Sequence, residues 1–210
     1  YEVWFNGTKG NLVANAGAVD SDKDWFWVTP TLTVWSVGNP ATTYVAPGVE
    51  VPYYQNGISM ATKSYVTVDG LIVERGVQEG ILISGGAASN VIVKNTTVRY
   101  IAKRMGTALS LEDNTGGDHL FDNVTIHDNQ GWGVGHSNAQ ATSGHENIIK
   151  NSTIYNNGKS GVSLAGRYSI VESNTIYNSG AIDGSWMGVH IYDELFASGG
   201  GVNGDYNTIR

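Results

Sequence analysis

Six short apolar segments share one grammar: "GISMA" (57–61), "GILIS" (80–84), "ALSLE" (108–112), "GVGHS" (133–137), "GVSLA" (161–165) and "GVHIY" (188–192). Their starts lie 23, 28, 25, 28 and 27 residues apart. A period in this range is the signature of a repeat architecture. Between successive segments sit two more strand-like runs, such as "NIIK" and "STIY", joined by a two-residue turn that begins at Lys150-Asn151. Three short strands per repeat are too few to close a sheet, so one repeat cannot bury its own apolar face. Coiling solves the problem, because each strand then pairs with its counterpart one repeat later at about 4.8 Å. The spacing therefore predicts an all-β parallel solenoid of about six coils with three strands per coil.

That register sorts the side chains. Ile81, Leu109, Val134, Val162 and Val189 should form one inward column, and Ile83, Leu111, His136, Leu164 and Ile191 the next. Val73, Val98, Ile126, Ile154 and Ile176 should form a third from a different sheet, since alternate strand residues face opposite sides. The recurrent "NTTVRY" (95–100), "NVTIHDN" (123–129), "NSTIYNN" (151–157) and "NTIYNS" (174–179) follow from the same register. The second turn residue is Gly70, Asn95, Asn123, Asn151 and Ser173 in successive repeats, where a left-handed backbone favours Gly and Asn. Asn side chains stacked there can bond to one another. Thr97, Thr125, Thr153 and Thr175 should line the outer surface. The Asn-x-Thr pattern is then a by-product of turn and column. Asn6 of Asn6-Gly7-Thr8, outside the repeats, is the better glycosylation candidate.

Composition narrows the partners. With 28 Gly, 4 Pro and no Cys, the chain turns often and has neither a disulfide framework nor a thiolate metal site. A net charge of −7 without a basic run argues against nucleic acid and anionic membrane surfaces as partners. No apolar run is long enough for a membrane span. "DYNTIR" aligns with "HENIIK", so the chain is expected to stop in mid-coil as a piece of a longer protein. An open coil end is a site for self-association.

The alternation "x-N-x-T-I" and "G-I/V-x-I/L" over residues 57–210 resembles the right-handed parallel β-helix repeat proteins of the pectate-lyase-like superfamily. The resemblance implies a Trp-rich capping region over residues 1–56 and an extracellular or cell-surface protein that binds or degrades polysaccharide. It also implies that glycan lies along the outer face of the sheet built from the "G-I/V-x-I/L" strands. Outward residues there read Ser59, Leu82, Ser110, Gly135, Ser163 and His190, then Ala61, Ser84, Glu112, Ser137, Ala165 and Tyr192. This is a small-residue face expected to be flat.

The turn before these strands carries Arg104, Trp132, Lys159 and Trp186 in consecutive coils. Such a row, with Glu112 nearby, suits a sugar chain, because aromatic faces accept apolar pyranose faces and cations meet uronate or sulfate. In the last coil, His190 and Tyr192 share a face about 6.6 Å apart, with Arg167 one coil earlier. A lyase needs a base for the proton α to a uronate carboxylate and a cation for the enolate. Tyr192 or His190 fits the first role; Arg167, or Ca²⁺ held by Asp193 and Glu194, fits the second. Hydrolysis fits less well, since glycosidase carboxylates sit about 5–9.5 Å apart and Glu112 and Asp193 lie about 14 Å apart by strand spacing. His136 is expected to be a hydrogen-bonded core residue. The alternative to a lyase-like enzyme is a non-catalytic surface, filament or adhesion solenoid.

Overall fold

The computed structural model describes residues 2–180, 187–192 and 204–210, and the chain divides into two compact units, Tyr1–Tyr53 and Tyr54–Arg210. In the first unit, Asp24–Val28 pairs antiparallel with Thr31–Val34, and Trp4–Phe5 pairs with both Thr8–Lys9 and Val49–Glu50. Val3, Phe5, Trp25 and Tyr44 form its core. The "GNP" segment starts a helical turn: Asn39 Oδ1 accepts a 3.0 Å bond from Ala41 N at the head of Pro40–Thr43. Asn6 and Gly7, at φ 51° and 76°, make the two-residue turn between Trp4–Phe5 and Thr8–Lys9, and Asn6 is exposed. Asn-Gly is the pair that such a hairpin turn favours.

The second unit is a parallel β-solenoid. Its first sheet contains Asn56–Ser59, Glu79–Gly86, Thr107–Asn114, Trp132–Gln140, Val162–Arg167 and Val189–Ile191. The second contains Thr67–Asp69, Ile92–Lys94, Leu120–Asp122, Asn147–Lys150, Ser169–Glu172 and Thr208–Ile209. The third contains Ile72–Glu74, Thr97–Arg99, Thr125–His127, Thr153–Tyr155 and Thr175–Tyr177. In all three sheets each strand pairs in parallel with the equivalent strand of the neighbouring coils.

The register is the one the repeats predict. Ile81, Leu109, Val134 and Val162 align and are buried, as are Ile83, Leu111, His136 and Leu164. Val73, Val98, Ile126, Ile154 and Ile176 align in the third sheet and complete the core. Ile191 departs from its column's pattern: it is 42% exposed, at the outermost strand of the first sheet.

The turn residues Gly70, Asn95, Asn123, Asn151 and Ser173 have φ between 50° and 70°. Asn123 Nδ2 donates to Asn95 Oδ1 at 2.8 Å, and Asn95 Nδ2 donates to Asp69 Oδ1 at 2.8 Å. The expected amide ladder ends there. Asn151 donates instead to Asp122 Oδ1 at 2.8 Å, because a carboxylate is a stronger acceptor than an amide oxygen.

Coiling creates a second requirement, at the buried corners. Where the backbone leaves one sheet, its N–H groups lose their ladder partners, and a buried donor without a partner is costly. Polar side chains of the following coil accept them. Val124 N donates to Ser152 Oγ (3.1 Å) and Ser152 N to Asn174 Oδ1 (2.9 Å). At another corner, Val91 N donates to His119 Nδ1 (3.2 Å) and Ser169 N to Asn207 Oδ1 (2.8 Å). At the third, Ile101 N donates to Asn129 Oδ1 (3.0 Å), and Asn129 Nδ2 reaches Asn157 Oδ1 (2.8 Å). These bonds explain why Asn, Ser and His sit in the interior.

Asn151→Val should lower stability by about 1–2 kcal/mol, since a left-handed backbone crowds a branched Cβ. Asn151→Gly, which accepts that backbone and loses only an exposed hydrogen bond, should cost less. Thermal unfolding of both variants checks this; equal losses would contradict it.

Candidate functional site

On the outer face of the first sheet, Leu82, Ser110, Gly135, Ser163 and His190 fall in one register column, and Ser84, Glu112, Ser137 and Ala165 in the next. Tyr192 N donates to Leu164 O at 3.1 Å, which continues the second column by one coil. The face is not flat as expected. It holds a cavity of about 180 Å³. Small residues make its floor, while the larger Met105, Trp132 and Tyr192 also line it. Ser110 and Ser163 are therefore only 1% and 4% exposed although they point outward. Gly135 lies between them without a side chain; a Cβ there would come within 3.0 Å of Thr107 Cγ2.

Polar chemistry concentrates on this floor. Ser110 Oγ donates to Glu112 Oε1 at 2.8 Å. Ser163 Oγ is buried and has no hydrogen-bond partner, an arrangement that costs free energy unless something fills the cavity. Behind the cavity, Glu79 aligns with Thr107 and accepts a 3.0 Å bond from the Thr107 backbone N–H. Burial, followed by the charge of Glu112, pushes the Glu79 carboxyl up to about 8. Two buried imidazoles move the other way. Burial holds His119 down at about 4, and burial together with His119 holds His136 down at about 3. His136 is the expected core histidine, with Nδ1 2.9 Å from Ser169 Oγ.

The cationic–aromatic row needs correction. Lys159 does not stand out to meet a sugar: it is 3% exposed, its Nζ lies 4.3 Å from the centre of the Trp132 ring, and it reaches Met105 Sδ at 3.0 Å. The ammonium gains more from the ring face and its alkyl stem's burial than from a place in the row. Burial first, then the Arg104 charge, lowers the Lys159 ammonium below its usual range. Trp132 thus lines the cavity with Lys159 packed on it, while Arg104 acts on Lys159 through its charge.

Of the group in the last coils, His190 and Tyr192 stack with ring centres 4.8 Å apart and planes at 18°. Tyr192 lines the cavity. Arg167 pairs in register with Gln140 and is not part of the cavity lining. Trp186, Asp193 and Glu194 lie outside the described residues. Among the described residues, no three His, Asp or Glu side chains are grouped to hold a metal ion. Glu79, Met105 and Thr107 are the site residues that sequence reading missed. Glu79, Thr107 and Trp132 are in register three residues before Leu82, Ser110 and Gly135, on the parity of the inward columns, so strand alternation alone would have assigned them to the core.

The family model of the right-handed β-helix region matches residues 56–210. The chain belongs to the right-handed β-helix family. No curated protein and no solved structure matches it. Among the described residues of this β-helix chain, no helix is long and apolar enough to cross a membrane.

The shifted groups set a pH optimum for stability. His119 and His136 are neutral in the folded chain and titrate near 6.5 when unfolded, so stability is full above about pH 6.5 and falls as pH drops towards 4 and 3. Glu79 has the opposite sign: its contribution is full below its unfolded value of 4.5 and is lost as pH rises through about 8. Each group contributes about 1.4 kcal/mol per pH unit, and the two histidines outweigh the glutamate between 4.5 and 6.5. The melting temperature should peak near pH 6.5. Glu79→Gln should flatten the alkaline limb, as thermal scans across pH would show.

Proposed function

We propose that this β-helix binds a polysaccharide in the cavity on the outer face of its first sheet, as an extracellular or cell-surface protein. The observation that carries the reading is the pairing of aromatic groups with a hydroxyl-rich floor. Trp132 stands where the strands begin and Tyr192 where they end, while Ser110, Ser137 and Ser163 lie between. A pyranose presents apolar faces and a rim of hydroxyls, which suits such a mixture. The unpartnered Ser163 hydroxyl gains a partner when a sugar hydroxyl enters.

Lyase-like catalysis is the enzymatic extension of this reading, and one observation favours it: Tyr192, a candidate base, lines the cavity. Its phenolic oxygen would take the proton α to a uronate carboxylate, and the 4-linked sugar would leave as the new double bond forms. The non-catalytic alternative uses the same cavity for attachment alone.

The test titrates the purified chain with soluble neutral, uronate-containing and amine-containing oligosaccharides by calorimetry. Saturable binding is expected, weakened roughly tenfold or more in Trp132→Ala, since an aromatic wall contributes about 1.5–3 kcal/mol through buried area. Absence of saturable binding in every class would overturn the reading. If Tyr192 is the base, uronate oligomers give unsaturated products that absorb in the ultraviolet. Tyr192→Phe then lowers turnover at least about a hundredfold with the melting temperature unchanged; binding without product leaves the attachment role.

A further inference from the structure

The cavity is asymmetric in charge, and the asymmetry bears on which sugar it takes. Glu112 lines it as a half-buried carboxylate. One of its oxygens accepts from Ser110 Oγ at 2.8 Å, and among the described residues it forms no ion pair. By contrast, Glu74 pairs with Arg99 and Asp122 with Lys150 on the other sheets. Behind Glu112, Glu79 is 2% exposed and lies close enough to feel its charge. Glu79, in register with Thr107 where the strands begin, and Glu112, towards their end, thus place two carboxyl groups along this face, and of the two only Glu112 lines the cavity. The nearby cations serve other contacts, with Lys159 on Trp132 and Met105, and Lys103 Nζ 3.1 Å from Gln78 Oε1. Independently, Ser163 Oγ, buried and unpartnered, lines the same cavity and calls for a ligand.

We infer that the Glu112 end of the cavity recognises a protonated primary amine, so that the ligand is a polysaccharide containing free amino sugars. The inference rests on the proposed glycan site and narrows its substrate class. An ammonium offers three donors: the Glu112 carboxylate, the Ser110 hydroxyl oxygen beside it and the Ser137 hydroxyl oxygen one coil on are acceptors of matching chemistry. A hard divalent cation fits less well, because Ca²⁺ takes six to eight oxygens and the described residues hold no group of three acidic or imidazole side chains. A uronate at this end would meet the Glu112 charge. The groups acting on Glu79 are Glu112, the Thr107 N–H, Gln78 and Lys103. A cation beside Glu112 offsets only the second cause of the Glu79 shift, and burial, the larger cause, keeps that carboxyl raised.

The experiment compares a glucosamine hexamer with its fully N-acetylated counterpart by calorimetry. The glucosamine hexamer should bind at least about tenfold tighter, as expected for one charge-assisted hydrogen-bond set. Glu112→Gln, whose amide oxygen still accepts from Ser110, should remove the preference for the glucosamine hexamer over the acetylated one. Circular dichroism and the melting temperature establish that the variant is folded; Glu112→Asp, which keeps the charge, should retain part of the preference. Equal affinity for the two hexamers, or a preference that survives in Glu112→Gln, overturns the inference and leaves the glycan site standing. Thermal stabilisation by Ca²⁺ alone that Glu112→Gln removes also overturns it in favour of a metal. Failure of every sugar class to bind removes the glycan site itself.

Discussion

The interaction on which everything else depends is the parallel hydrogen bonding of each coil to the next. A coil has no partner within itself, so its strands, corners and turns are all satisfied by neighbours one repeat away. Each position is consequently constrained by the residue above and below it. In the strands this produces aligned apolar columns such as Ile81, Leu109, Val134 and Val162. At the turns it produces a shared left-handed backbone, and at the buried corners it produces side-chain acceptors for stray N–H groups such as those of Val91, Ile101 and Val124. The third sheet shows the same logic on its outer surface, where His127, Tyr155 and Tyr177 stack with planes within 2° and centres 4.9–5.0 Å apart.

This explains what was legible in the sequence. A column is a repeated residue type at a repeated spacing, so Asn95, Asn123 and Asn151 betrayed their turn, and Thr97, Thr125 and Thr153 their outer line, by counting alone. The buried acceptors Ser152, Asn129 and His119 were not legible, because nothing in the sequence says which backbone groups a corner orphans. The cavity was least legible. Its depth depends on how far Trp132 and Met105 rise beside Ser110 and Ser163, and that is set by side-chain packing rather than register. Lys159 shows the difficulty: the sequence put it in an outward row, but a cation beside an indole ring folds onto it.

Site and scaffold are distinct in the same strand. Inward residues of the first sheet carry the packing, and outward ones carry the cavity, with parity alone separating Leu109 and Leu111 from Ser110 and Glu112. Glu79 is the exception that links them: it is outward in register with Thr107, yet buried, and its carboxyl reports the charge at the cavity.

Gly135 gives this separation an evolutionary meaning. It is a floor position with no side chain, flanked by Ser110 below and Ser163 above, and its backbone is an ordinary strand. Replacing it alters the volume and chemistry offered to a ligand, while the adjacent Val134 and His136 go on holding the coils together. The cost is local: a Cβ at Gly135 comes within 3.0 Å of Thr107 Cγ2, so that side chain must give way while the inward packing is left as it is. A lineage of coiled chains can explore new ligands one floor residue at a time, with the repeat that makes the fold recognisable left intact and the chemistry that makes each member different written only on its alternate residues.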